Sequence, residues 1–117
     1  MRDSLEAKLE VAGFLERIIN RSTYSQKEIA AMCGFNTPNI ITMLKQGSTK
    51  VPVEKIPALA KALDIDRVEF FELVMKNYRP KEYEVIVEIF GEPISDAERA
   101  IIKLLRQVIP AGQLYPS

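Results

Sequence analysis

The stretch 26–47 reads QKEIAAMCGFNTPNIITMLKQG. Ser25 stands immediately before it and Glu28 follows three residues later. That is the spacing of a capping box, in which the serine hydroxyl accepts from the third helical N–H and the glutamate reaches back. The helix so opened carries Ile29, Ala30 and Cys33, and Gly34 supplies the left-handed stop. Thr37-Pro38 then offers an N-cap followed by proline at the first helical position, where a missing N–H is tolerated. A second short helix runs to Gln46, with Ile40, Ile41, Met43 and Leu44 inside and Gly47 as terminator. The stretch therefore predicts two short helices joined by a tight turn.

Helical signals continue on both sides. Upstream, residues 4–19 place Leu5, Leu9, Ala12, Leu15 and Ile19 on one stripe, with Phe14 and Ile18 beside it. Downstream, Ser48-Thr49-Lys50 is a polar loop, and Pro52 precedes a fourth helix over about 53–63. Pro57 falls in its first turn, where proline is still tolerated. Asp66 and Glu69 form a second box, starting a fifth helix that reaches Asn77. In the segment 81–90, Tyr83, Val85, Val87 and Ile89 alternate as in a strand. Tyr83, Ile86, Val87 and Phe90 also fit a helical stripe with Glu84 and Glu88 opposite, and helix is the preferred reading. Ser95 and Glu98 make a third box, opening a final helix with Ala97, Ile101, Leu104, Leu105 and Val108 on one side. Ile102 and Ile109 add a flanking apolar face, more than one core-facing stripe requires. The expected architecture is all-α: a five-helix bundle over 1–77 and a two-helix extension over 78–117. The extension is read as a dimerisation element, with Ile101, Ile102, Leu105, Val108 and Ile109 at the interface. The competing reading has both helices capping the bundle against Leu9, Phe14 and Phe71.

Composition bounds what such a bundle can do. The 117 residues suit one domain, and 47% apolar with 27% charged residues is a globular balance. No apolar run approaches the roughly 20 residues that span a bilayer, so no membrane partner is expected. The opening MRDSLEAKLE lacks the apolar stretch of a secretory signal, and the single Cys33 cannot form an internal disulfide. A cytoplasmic location is expected. Formal net charge is zero, but residues 21–61 carry six basic against two acidic side chains, a local net of +4. The segment 62–117 is net acidic, with seven basic against ten acidic side chains. Positive charge thus gathers in the middle of the chain, where polyanions would be neutralised. Catalytic inventory is short: no histidine, no cysteine cluster, no glycine-rich phosphate loop and no carboxylate pair with metal spacing. Cys33 reads as a packing residue. No catalytic residue, metal, cofactor or small-molecule ligand is expected, and an enzyme is improbable.

The stretch 26–47 resembles the lambda-repressor-like (Cro/CI-type, XRE-like) helix-turn-helix family. Gln26, Ala30, Gly34 and Gly47 match that pattern, and VPVEKIPALAKALDID at 51–66 looks like its fourth helix. The resemblance spans about residues 5–76. Two features depart from it. One extra residue separates Gly34 from Thr42, and Lys45-Gln46 replaces the usual acidic residue before the closing glycine.

The resemblance implies a five-helix lambda-repressor-like bundle whose second motif helix enters the major groove of double-stranded DNA. It implies a sequence-specific, repressor-type transcription regulator acting as a homodimer. A protein–protein adaptor, or an antitoxin-like subunit with the same fold, is the alternative. Asn36, Thr37, Asn39 and Thr42 are then candidates for reading base edges. Asparagine pairs bidentately with adenine, and threonine offers a hydroxyl or a methyl to thymine. Gln26, Lys45, Ser48, Thr49 and Lys50 are candidates for phosphate contacts.

Overall fold

A computed structural model describes residues 4–108, and among them are seven α-helices and one 3-10 turn. The helices are α1 (Ser4–Arg21), α2 (Gln26–Met32), α3 (Asn39–Gln46), α4 (Ile56–Leu63), α5 (Arg67–Tyr78), α6 (Pro80–Phe90) and α7 (Asp96–Val108). The 3-10 turn, Val53–Lys55, leads directly into α4. The all-α expectation is met, and the ambiguous segment 81–90 is helical.

Local chemistry accounts for most of the helix ends. Ser25 caps α2 with both halves of its box formed, the serine hydroxyl accepting from Glu28 N–H and the Glu28 carboxylate accepting from Ser25 N–H. Gly47 closes α3 in the left-handed region at φ 74°, and a Cβ there would stand 3.3 Å from Leu9 Cδ2 and 3.4 Å from Ala12 Cβ. Glycine is needed at that position for both reasons: backbone sign and close approach to α1.

Helices α1 to α5 enclose one core. Val11, Leu15, Ile29, Ile41, Leu44, Leu59, Phe70 and Val74 are completely or almost completely buried, and Phe14 stacks on Phe70 with ring centroids 6.0 Å apart. Helix α1 packs on α3 and α5, α4 on α2 and α5, and α2 on α3. The buried face of α1 is rotated from the expected stripe. Ala7, Val11, Ala12, Leu15 and Ile19 point inward, whereas Leu5 and Leu9 are exposed. Leucines on one side and Ala7 and Val11 on the other make two overlapping apolar stripes, and only the neighbouring helices decide between them.

The two C-terminal helices are attached differently. Helix α6 lies against α5 through Tyr83, which is buried and donates its hydroxyl to Glu72 Oε1 at 2.8 Å. Burial first, then the adjacent Glu72 carboxylate and the charge of Glu92, push that hydroxyl up to about 12. Helix α7 buries no side chain. It is tethered at its first residues by polar groups. Asp66 Oδ1 accepts from Val68 and Glu69 N–H at the start of α5, while Asp66 Oδ2 accepts from Asp96 N–H at the start of α7. Arg67 Nε donates to Asp96 Oδ1 at 3.1 Å, and the buried Ser95 caps α7 through Glu98 N–H. One aspartate therefore caps two helices. Desolvation raises its pKa, but backbone donors from Glu69, Asp96, Val68 and Ala97 outweigh that and hold the carboxyl below its usual range.

Candidate nucleic-acid interface

Burial along α3 separates two sides. Ile41 and Leu44 are buried, whereas Asn39 and Gln46 are exposed and Thr42 and Met43 are half-buried. Asn39, Thr42, Met43 and Gln46 stand at i, i+3, i+4 and i+7, so they form one outward stripe. The base-edge candidates Asn39 and Thr42 share it. Asn36 and Thr37 are exposed in the connection before the helix. Gln46 was not among the residues expected to read bases; its side chain has the bidentate adenine geometry that asparagine has. The 3.6-residue period starting from Asn39 was the signal that could have found it.

The expected N-cap at Thr37 does not form. Helix α3 begins at Asn39, no side chain caps it, and Ile41 N–H donates to Pro38 C=O at 3.0 Å to close a tight first turn. Pro38 has helical dihedrals, φ −66° and ψ −21°, the φ being what its ring prescribes.

A side-chain hydrogen bond joins the two motif helices. Thr42 Oγ1 donates to Gln26 Oε1 at 2.8 Å, partly buried. The glutamine amide group keeps its two N–H donors, and the threonine its methyl and hydroxyl lone pairs. A base-edge candidate and a phosphate candidate are thus held together, a link across 16 residues that the sequence did not reveal.

The turn between the helices is fastened by a residue that sequence reading treated only as charge. Lys55 Nζ donates to Cys33 C=O at 2.8 Å, at the C-terminus of α2, and lies 5.2 Å from the centroid of the Phe35 ring. A cation at a helix C-terminus is stabilising. Gly34, at φ 72°, gives the ammonium room: a Cβ there would lie 3.2 Å from Lys55 Nζ. Burial pushes the Cys33 thiol up, offset in part by the Lys55 charge, as suits a packing residue.

The remaining phosphate candidates differ in availability. Lys50 is exposed, with its ammonium 5.3 Å from the Tyr78 ring centroid. Lys45 is half-buried along a cleft between α1 and α3 that Leu9, Ala12 and Glu16 also line. Thr49 is half-buried. Ser48 is committed to the end of α3, its backbone N–H and its hydroxyl both donating to Met43 C=O at 3.1 and 3.2 Å.

Of the five dimerisation candidates, Ile101, Leu105 and Val108 are exposed, Ile102 is half-buried, and Ile109 lies outside the described residues. The structure adds Leu104 on α7 and Val85, Ile89 and Phe90 on α6, all exposed, with Phe90 at 80% and Val108 at 82%. No α7 side chain is fully buried, and Ile102 is half-buried.

Among the described residues no group of three or more acidic, cysteine or histidine side chains lies together as a metal site would require, and no helix is long and apolar enough to cross a membrane. No curated protein matches the chain. A family model described as Helix-turn-helix matches residues 15–70, from the middle of α1 to Phe70 in α5. The match includes both motif helices, the Gly34 turn and the helices that brace them. The matching model is that of the Cro/CI-type, XRE-like helix-turn-helix family of DNA-binding transcription regulators, to which residues 15–70 are similar.

Proposed function

We propose that this chain is a non-catalytic, repressor-type regulator that binds a twofold operator as a homodimer. The outward stripe of α3 carries the reading: Asn39, Thr42 and Gln46 enter the major groove, with Met43 beside them for a thymine methyl. Gln26, Thr49, Lys45 and Lys50 contact phosphates on either side, and Asn36 and Thr37 approach the groove from the preceding connection. Ser48 contributes by fixing the end of α3 more than by touching DNA. The Thr42–Gln26 bond supports this arrangement, because it ties the groove-facing side of one helix to the start of the other. One recognition helix covers a half-site, so two copies are needed, and the exposed apolar faces of α6 and α7 are the surface that would join them.

Those same exposed faces also suit an antitoxin-like subunit that holds a partner protein while binding its own promoter. Sedimentation of the purified protein separates the two, since only the homodimer reading requires self-association at micromolar concentration.

Selection on random DNA followed by gel shift at several salt concentrations tests the function. Four to eight phosphate contacts per dimer would give a log–log salt slope of roughly −4 to −7. A slope near zero, or selection that returns no enriched sequence, refutes the operator reading.

A further inference from the structure

A cavity of about 430 Å³ lies where the C-terminal extension meets the bundle. Ile56 and Pro57 of α4, Val68 and Phe71 of α5, and Pro93 of the α6–α7 connection supply apolar walls. Arg67 and Arg99 also line it, and no acidic side chain does. Its size falls within the roughly 300–1,000 Å³ of small-molecule sites, and an apolar lining with a few charged groups is their usual chemistry. Arg99 is exposed and has no ion-pair partner among the described residues. Arg67 uses its Nε on Asp96, and a guanidinium has four further N–H donors. The two aspartates that fasten α7 to α5 are already engaged: both Asp66 oxygens accept backbone N–H groups, and Asp96 Oδ1 accepts from Arg67.

We propose that this cavity binds a small amphipathic anion, a carboxylate with an apolar body. The body fills the space between Phe71, Val68 and Pro93, and the carboxylate meets Arg99 and the free edge of Arg67. Arginine suits that role because its planar fork pairs two carboxylate oxygens at once.

The site spans the start of α7 with its preceding connection on one side and the bundle on the other. Pro93 and Arg99 come from the extension, the other walls from the bundle. Helix α7 is otherwise held by Asp66, Arg67 and Ser95 at its first turn. A ligand that contacts both sides binds the docked arrangement of α7 better than an undocked one, so it shifts α7 toward docking. Through the dimer reading proposed above, on which this consequence alone rests, the ligand would then set how two recognition helices are spaced.

The test uses the full chain, isotopically labelled, titrated with sodium octanoate while amide resonances are followed by NMR. Octanol and inorganic phosphate serve as the neutral and the headless probes. Octanoate should saturate at one per chain, moving the amides of Val68, Phe71 and Arg99. Octanol should bind at least about tenfold more weakly, the loss of one charge-assisted contact, and phosphate should not saturate. Arg99→Gln should weaken octanoate by a similar factor and leave octanol unchanged. Val68→Trp, checked for an unaltered thermal transition, should abolish binding by filling the space. The proposal is overturned by equal affinity for octanol and octanoate, by shifts confined to Val85, Ile89 and Phe90, by the absence of saturable binding, or by a folded Val68→Trp variant that still binds. Gel shifts are read separately. Operator binding without octanoate binding sinks this site and leaves the DNA reading standing, whereas octanoate binding without operator binding does the reverse.

Discussion

Residues from Ser4 to Tyr78 and residues from Pro80 to Val108 are both helical, but they are held in place by different physics. The first region buries large side chains from five helices against one another, from Val11 to Val74. The second contributes Tyr83 and Ser95 to buried positions and leaves Val85, Ile89, Phe90, Ile101, Leu104, Leu105 and Val108 in solvent. The radius of gyration, 17.0 Å, reflects this, against roughly 13 Å for a compact chain of this length. Amphipathic character alone does not say what an apolar stripe packs on. In the bundle the stripes find each other; in the extension, among the described residues, they face solvent.

Ending the chain after Arg79 should have the largest effect. Tyr78 must be kept, because its hydroxyl accepts from Val51 N–H and its ring lies under Lys50. The bundle should stay folded, sediment as a monomer and lose on the order of 10²–10⁴ in operator affinity, the factor that linked half-sites contribute. Unchanged affinity by gel shift would place the dimer interface in the first five helices.

Core truncation sharpens the contrast. Phe70→Ala, at a fully buried position stacked on Phe14, should cost about 3–5 kcal/mol in denaturant unfolding. Leu104→Ala, at a position 61% exposed, should change monomer stability by less than about 0.5 kcal/mol. It should instead weaken self-association. Similar losses of stability at both sites would mean that α7 is part of the core after all.

Within the bundle, the stripe on α3 can be tested position by position. Asn39→Ala should cost about 1–3 kcal/mol at one base pair per half-site, and Gln46→Ala should relax a different base pair. Selection that returns the same motif for wild type and both variants would exclude the stripe from base reading.

The smallest effect concerns the joint. Asp66 has a folded pKa below its unfolded value of about 3.9. Its contribution is therefore complete above that value and is lost as pH falls through the folded pKa. Protection factors of the Asp96 and Ala97 amides, corrected for the intrinsic slowing of exchange in acid, should fall at acidic pH before those of the core amides of Leu15 and Leu59, and Asp66→Ala should show the lowered protection at neutral pH. Protection that is independent of both would remove Asp66 from the joint.

The sequence was legible where signals are local. Ser25 with Glu28, the stops at Gly34 and Gly47, and the caps at Asp66 and Ser95 all mark helix ends through contacts a few residues apart. The expected boxes at the last two form only their cap half: Glu69 does not reach back to Asp66 N–H, and Glu98 accepts from the Ser95 hydroxyl instead of its N–H. These were enough for seven helices and for the two-helix motif. What stayed hidden depends on long-range partners. The rotation of α1 needed α3 and α5 as neighbours, and the Thr42–Gln26 and Lys55–Cys33 bonds join residues distant in the chain. Thr37 has the chemistry of an N-cap, but the helix begins two residues later, at Asn39. Asp66 was legible as the cap of α5 and not as the cap of α7, because nothing in a sequence counts how many helices one carboxylate serves.

That shared carboxylate bears on how the molecule can change over generations. Its hydrogen bonds end on main-chain amides, which every residue but proline provides. The outward side chains of α7 are therefore free to mutate without disturbing either the attachment or the interior of the bundle. Substitution at Ile101, Leu104 or Val108 can remake the exposed face of α7 while α2 and α3 keep their shape. On the homodimer reading proposed above, lineages carrying such a joint can diverge in which copies pair with which, so that duplicated regulators cease to mix without any change in their operators.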